Sequence, residues 1–449
     1  MISPLDQLLT LYTLLRHQYV TREEVVAFRN KRLRDLIAHA YNNVPYYRKL
    51  LDRAGLGPGD IKTTDDLGKI PVTSKNDLRS LPEEEIVARG VNPKNLVVRR
   101  TSGSSGEPLI IRRTWFEERL LGTIILRSRQ DFGVRMTDTT ASIGLVRPIL
   151  LKDRLTPTHF LQALGLYRRV GISCLLPPDR ILSKLERTRP DALAGFPGVI
   201  SHLARVICNE GRFSITPRIV MVGGEVLTPL MRTQISKAFS APVFETYGSH
   251  EFNQIARQCK ETGELHVCDD SVILEVVKDG RPVEIGERGE VVCTGLHSFA
   301  MPFIRYRLGD IVTKGLEICR CGQPFSTIST VQGRMLDYFS LPGGRMVHPY
   351  EIIRIIVSDI APWVSQYQLI QESVDRITCL VVPSANPTPS QVAVVEDSAT
   401  KLLGPGVEFR IVLVLEIQFD SNGKFRVARS MVKSDYDEID WNHPEKVSP

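Results

Sequence analysis

The 449-residue chain lacks several features that mark well-defined protein classes. No stretch approaches the roughly 18 uninterrupted apolar residues that a bilayer-spanning helix needs. The richest run, FRIVLVLEI at 409–417, carries charges, so a membrane-spanning role is excluded. A strong charge of one sign is also missing: Lys+Arg total 57 and Asp+Glu 51, and the net +6 is too dilute for a nucleic-acid groove. Such a mild basic bias suits anionic small ligands. The N-terminus, MISPLDQLLTLYTLLRHQYV, has an early acid and no basic patch ahead of a smooth apolar core, so it does not read as a signal peptide and a cytoplasmic location is expected. The 8 cysteines are too few and too scattered for a secreted disulfide framework. Neither GxxxxGK[ST] nor GxGxxG occurs, which disfavours an ordinary P-loop or dinucleotide fold. There are no internal repeats and no low-complexity tracts.

What remains is a globular composition, 42% hydrophobic and 24% charged, long enough for roughly two to four domains. Residues 22–55 carry a helical apolar period through Val25, Phe28, Leu33, Leu36, Ile37 and Ala40. From about 140 to 250, strand-like runs (DALAGF, RIVMVGG, APVFETYG) alternate with helical ones (RILSKLERTRP, PGVISHLARVICNEG, TPLMRTQISKAF), the signature of a largely parallel α/β sheet. Between 264 and 315 short strands and turns (SVILEVV, KDGRPV, GERGEVVCTGL) predict an antiparallel β subdomain. Beyond GRMLD at 333–337, a strand pair, a helix and a strand suggest a compact α+β module. The expected fold is therefore α/β, with a large N-terminal body over 1–335, built of α/β subdomains plus a β subdomain, and a small mobile α+β C-terminal domain over 336–449.

Five segments carry chemistry-bearing residues. In RRTSGSSGEPLII, the small residues Thr101, Ser102, Gly103, Ser104, Ser105 and Gly106 sit between two strand-like runs. Their amides and hydroxyls suit a phosphate cradle, although alone the stretch also reads as a flexible hairpin loop. In VFETYGSHE, Tyr247 is suited to flank a planar base and Glu251 to ligate a hard cation. In MPFIRYRLGDIV, Arg305, Arg307 and Asp310 cluster. An acid after a glycine turn suits ribose hydroxyls and arginines suit phosphate or the domain boundary, while the bland alternative is a surface ion-pair turn. QGRMLDYFSLPGGRMVHPYEI at 332–352 is the fourth segment. In SNGKFRVARSMVK, Lys424 follows Gly423 and offers a point charge to a developing negative centre.

The order TSGSSGEP, GGE (223–225), YGSHE, RYRLGD, GRxxD and a late GK resembles the adenylate-forming superfamily. LIAHAYNNVPYYRKLLDRAG (36–55), IPVTSKNDLR (70–79) and CRCGQPFSTISTVQGR extend the resemblance to its phenylacetate–coenzyme A ligase-like branch. The resemblance implies that residues 101–106 hold the ATP phosphates. It implies that Gly223, Gly224, Glu225, Tyr247 and Gly248 frame adenine and the acyl pocket, and that Glu251 binds magnesium. Asp310 would take the ribose hydroxyls with Arg334 nearby, Asp337 would lie at a hinge, and Lys424 would bridge the substrate carboxylate and the α-phosphate. Family members use the small domain in two orientations, one for each half-reaction. Three positions depart from the pattern: Glu107 replaces a lysine beside the phosphates, His250 replaces Thr or Ser, and Leu308 replaces a small hydroxyl residue. His250 is thereby a candidate to donate to phosphate or to serve the acyl substrate. By position on the fold, 142–147 and 196–200 line the acyl pocket.

Cys259 and His266 flank KETGEL, and Cys319-Arg320-Cys321 follows. Three thiolates and an imidazole make a closed tetrahedral zinc site, with Cys268 a substitute ligand, and such a site is structural, while the bland alternative is four unrelated residues in β-turns. Some members of the ligase branch carry one at these positions. The sequence thus predicts an ATP- and magnesium-dependent, AMP-forming ligase that activates an aromatic or other small carboxylic acid and passes it to coenzyme A, as a monomer or homodimer. The rival acceptors are a carrier protein or an amine, and a third reading is a non-catalytic nucleotide-binding relative.

Overall fold

The computed structural model describes residues 4–101, 109–146, 162, 164–334, 339–347, 349–356, 360–420 and 423–432. It divides into two compact units. One comprises Met1–Asp131 and Thr246–Val331, the other Phe132–Glu245 and Gln332–Tyr436.

In the first unit, helix Arg22–Asn43 starts on Thr21, whose hydroxyl accepts the Glu24 amide while the Glu24 carboxylate accepts the Thr21 amide. This reciprocal cap fixes the helix start, and Pro45 opens the next helix, Pro45–Arg53. The periodic residues Leu33, Leu36, Ile37 and Ala40 are fully buried, and they pack with Tyr47, Ile273, Leu296 and Ile304. Tyr47 spends its buried hydroxyl twice, donating to Pro302 O (3.1 Å) and accepting from Ile304 N (3.0 Å). The strands of this unit run in the order Arg281–Pro282, Val272–Lys278, Arg288–Gly295, Tyr306–Lys314, Thr327–Arg334, Leu265–Val267, Asn253–Gln258, with the last part of Val243–Ser249 beside them. The expected antiparallel subdomain over 264–315 is present, with antiparallel pairing of Val272–Lys278 to Arg288–Gly295 and of that strand to Tyr306–Lys314. A separate hairpin, Val97–Arg100 with Ile110–Arg113, flanks the small-residue loop.

In the second unit the predicted alternation produces a parallel sheet. Thr140–Gly144 lies between Arg169–Ser173 and Ala192–Gly195, and Ile219–Gly223 follows. Helices Pro178–Thr188, Pro197–Glu210 and Pro229–Phe239 each begin with proline at the first turn, where its missing N–H is harmless. Their apolar faces (Ile181, Leu182, Leu185, Ile200, Leu203, Ile235) join Ile143, Leu193 and Val220 of the strands in one core. The C-terminal module is a four-stranded mixed sheet, Glu408–Leu413, Arg376–Pro383, Val364–Ser373, Ala428–Ser430, with helices Pro349–Ile356 and Pro389–Leu403 sharing its core. Among the described residues no helix is long and apolar enough to cross a membrane.

Candidate active site

In the first unit, strand Val243–Ser249 ends in a tight turn and returns as Asn253–Gln258, with a register shift at Tyr247/Gly248. Position 248 has to be glycine, because a Cβ there would stand 2.1 Å from the Asn253 carbonyl oxygen. The turn carries His250 and Glu251. Glu251 is only 7% exposed, and its Oε1 accepts the Tyr306 hydroxyl at 3.2 Å. The backbone of the turn is held by Arg113, whose Nη2 donates to the carbonyls of His250 and Glu251 at 2.6 Å each. Arg113 ends the second strand of the hairpin around the small-residue loop, and Arg99 lies on the first. Both arginines pair with Glu118, whose carboxyl is drawn below its usual range by Arg99 and Arg113 against the opposing effect of burial. The hairpin and the Glu251 turn are therefore one hydrogen-bonded assembly. Of the small residues, Thr101 is described, its hydroxyl accepting the Leu109 amide at 2.9 Å. Ser102, Gly103, Ser104, Ser105 and Gly106, like Glu107, Arg147 and Asp337, lie outside the described residues.

Asp310 sits one residue past Gly309 on strand Tyr306–Lys314, and its Oδ2 accepts the Tyr247 hydroxyl at 2.7 Å. The structure thus joins two predicted residues separated by 63 positions. The two arginines of the same motif are committed elsewhere. Arg305, with φ +44°, grips Glu275 through two nitrogens and donates to Ile70 O at 2.6 Å, and Arg307 donates to Glu290 at 2.7 Å. Both are buried, at 4% and 8% exposure, so the reading of them as phosphate partners gives way to a structural one. IPVTSKNDLR owes its place to this clamp as well: Thr73 exchanges backbone hydrogen bonds with Arg305 and Arg307 at 2.9 Å.

In the second unit, parallel strands place their carboxyl ends on one edge, where open α/β sheets bind ligands. Gly144 and Gly223 are such ends, and Phe196 and Gly224-Glu225 follow directly after strand ends. Lys424, 200 positions from Gly224, donates from Nζ to the Gly224 carbonyl at 3.1 Å and lies 5.3 Å from the Phe196 ring centre. Burial pushes the Glu225 carboxyl up to about 7, against the opposing hydrogen bonds of the Gly198 and Phe425 amides. Arg334 ends strand Thr327–Arg334.

The predicted metal ligands converge in the first unit. Donor atoms of Cys259, His266, Cys319 and Cys321 all lie within 4.8 Å of one another. Cys321 Sγ and His266 Nε2 are 3.3 Å apart, and the Thr262 hydroxyl is 3.6 Å from Cys319 Sγ. Two tight turns build the site, one closed by Gly263 N to Cys259 O (3.2 Å) and the other by Gly322 N to Cys319 O (3.1 Å). His266 is presented by strand Leu265–Val267, and burial, helped by Arg257, holds its imidazole down to about 4, in the neutral form a metal needs. Burial opposes ionisation of the Cys259 thiol, yet hydrogen bonds from the Thr262 and Glu261 turn outweigh it and lower the thiol. Three sulfurs and one imidazole nitrogen at this spacing fit tetrahedral zinc. Cys268 is not in the group, being fully buried beside Arg127.

Arg113 and Tyr306 escaped the sequence reading as members of these clusters, whereas Phe196 lies in the 196–200 stretch expected at the acyl pocket. Tyr306 stands inside a quoted motif and Arg113 two residues past another, but their partners lie 55 and 137 positions away, which no local pattern reveals.

The CapK C-terminal domain model matches residues 340–431. The phenylacetate-coenzyme A ligase of Thermus thermophilus is 27% identical over 375 residues, 78% of each chain. Protein CapK of Staphylococcus aureus is 24% identical over 424 residues, covering 91% of this chain and 90% of its own. The crystal structure of 2-hydroxyisobutyryl-CoA ligase in the postadenylation state with 2-HIB-AMP shares the fold, with a TM-score of 0.76 and 20% identity over 94% of this chain and 92% of that one. Motif order, fold and relatives agree: over most of its length the chain is similar to phenylacetate–coenzyme A ligases and CapK, and it has the fold of an adenylate-forming CoA ligase.

Proposed function

We propose that the protein is an AMP-forming acid ligase. A carboxylate oxygen of a small, aromatic or other, acid attacks the α-phosphorus of ATP, the bond to pyrophosphate breaks, and an acyl-AMP forms. The sulfur of coenzyme A then attacks the acyl carbonyl and AMP leaves. The observation that carries this reading is the delivery of Lys424 to the Gly223–Glu225 loop, 3.1 Å from the Gly224 carbonyl. An ammonium pre-placed there offsets charge that accumulates on the phosphoryl oxygens. In this reading Asp310, oriented by Tyr247, takes the ribose hydroxyls, with Arg334 nearby. Residues 101–106 hold the phosphates. Gly223, Gly224 and Gly248 admit adenine, and His250 donates to phosphate or acyl group.

The buried Glu251 carboxylate is a hard oxygen donor suited to magnesium, which when bound would neutralise phosphate charge. The cluster Cys259, His266, Cys319 and Cys321 would hold a structural zinc, with all four protein positions filled. We place the working division of the chain between a body over 1–335 and a lid over 336–449. ATP–pyrophosphate exchange measured with a broad panel of acids tests the reading, and exchange at background with every acid would overturn it.

Mass spectrometry of products with coenzyme A, carrier protein or amine supplied separately distinguishes these acceptors.

A further inference from the structure

Glu225 is held in a way that nucleotide binding does not explain. Both its carboxylate oxygens are taken by backbone amides: Gly198 N–H donates to Oε2 at 3.0 Å and Phe425 N–H to Oε1 at 2.7 Å. The first amide lies in the opening turn of helix Pro197–Glu210, and the second belongs to the residue after Lys424. Phe425 is 3% exposed and packs in the core of Ile200, Leu203 and Ile235. Two missing side chains permit this docking. A Cβ on Gly198 would stand 2.3 Å from Phe425 Cβ, and one on Gly423, which has φ +73°, would stand 2.3 Å from Cys174 Sγ. The charged and titratable groups facing Glu225 are Lys424, Asp420 and Cys174.

We propose that Glu225 is a positioning residue, its carboxylate tying the start of helix Pro197–Glu210 to the Lys424 segment and so fixing where the ammonium is delivered. The proposal rests on the adenylating role given to Lys424 above. A carboxylate is required because two donors converge on two oxygens. In Glu225→Gln one oxygen becomes an NH2 group, which cannot accept, so one buried amide loses its partner. A loosened segment delivers the ammonium in a smaller fraction of molecules, which lowers the rate without touching nucleotide affinity.

The test combines kinetics with hydrogen exchange on the full-length protein. Glu225→Gln should lower kcat for ATP–pyrophosphate exchange about tenfold or more, with KM for ATP within about twofold of the parent. In a Lys424→Ala background the same change should add nothing, because Glu225 acts through Lys424. Amides of 423–426 should exchange faster in Glu225→Gln without any substrate present. A raised KM with kcat retained, a loss that multiplies with that of Lys424→Ala, or unchanged exchange at 423–426 would each overturn the proposal. Wild-type protein without acid-dependent exchange would refute the functional reading instead, and the hydrogen-exchange comparison would still decide the tether. Should Glu225→Gln not fold, Gly198→Ala, which drives a methyl against Phe425, is read by the same three criteria.

Discussion

Lys424→Ala separates a chemical role from a structural one. The ammonium makes an exposed hydrogen bond to the Gly224 carbonyl at 3.1 Å. Removing such a contact should cost less than about 1 kcal/mol of stability. The loss in rate should be far larger. A pre-placed donor facing charge that develops only in the transition state contributes about 3–4 kcal/mol, equivalent to about 10²–10³ in rate. The expected variant is therefore folded, with a melting temperature within a few degrees of the parent, and nearly inert in ATP–pyrophosphate exchange. ATP binding measured by calorimetry should persist, since uniform binding and transition-state stabilisation are separable. Lys424→Arg should recover only part of the rate, because a planar guanidinium does not reproduce a compact ammonium. Exchange in Lys424→Ala within about threefold of the parent would refute the assignment.

Tyr247→Phe removes the 2.7 Å hydrogen bond to Asp310, and KM for ATP should rise about 3- to 10-fold with kcat largely kept, as steady-state kinetics will show. Elemental analysis should find about one zinc per chain, lost in Cys319→Ser, and chelation should lower the melting temperature. Asp270 is fully buried between Arg127 and His17, with Arg127 holding its carboxyl well below the usual range against burial. Its stabilisation is thus present above the ordinary carboxylate range and is lost as pH falls below that range through the depressed folded-state value, and Asp270→Asn should cost about 3–5 kcal/mol in urea unfolding at neutral pH. Burial pushes the Glu245 carboxyl from 4.5 up to about 7, so the folded state binds its proton more tightly than the unfolded state. That contribution falls as pH rises. Glu245→Gln should therefore gain about 2–3 kcal/mol relative to the parent between about pH 5 and about pH 8, and a pH-independent difference would contradict the shift.

Much of the architecture was legible because local patterns carried it. The period through Leu33, Leu36 and Ile37 becomes a buried helix face, and PGVISHLARVICNEG becomes helix Pro197–Glu210. Within the cluster of Cys259, His266, Cys319 and Cys321, short turns were legible locally, while the pairing of Leu265–Val267 with Thr327–Arg334 brings the two halves together. Arg305 and Arg307 were less legible, because their ion pairs are buried ones made across strands. Their partners Glu275 and Glu290 lie 30 and 17 positions away on other strands, and only the pairing register aims them inward.

The sequence by itself determined the kinds of element, the order of motifs and the types of donor, because periodicity, turn residues and side-chain chemistry act within a few residues. Tertiary structure alone decided which groups meet. It set Arg113 on the Glu251 turn, Tyr247 on Asp310, and the amides of Gly198 and Phe425 on Glu225. Those juxtapositions depend on sheet register, on backbone amides that carry no sequence signature, and on glycines whose absent side chains leave room at one place in the folded chain.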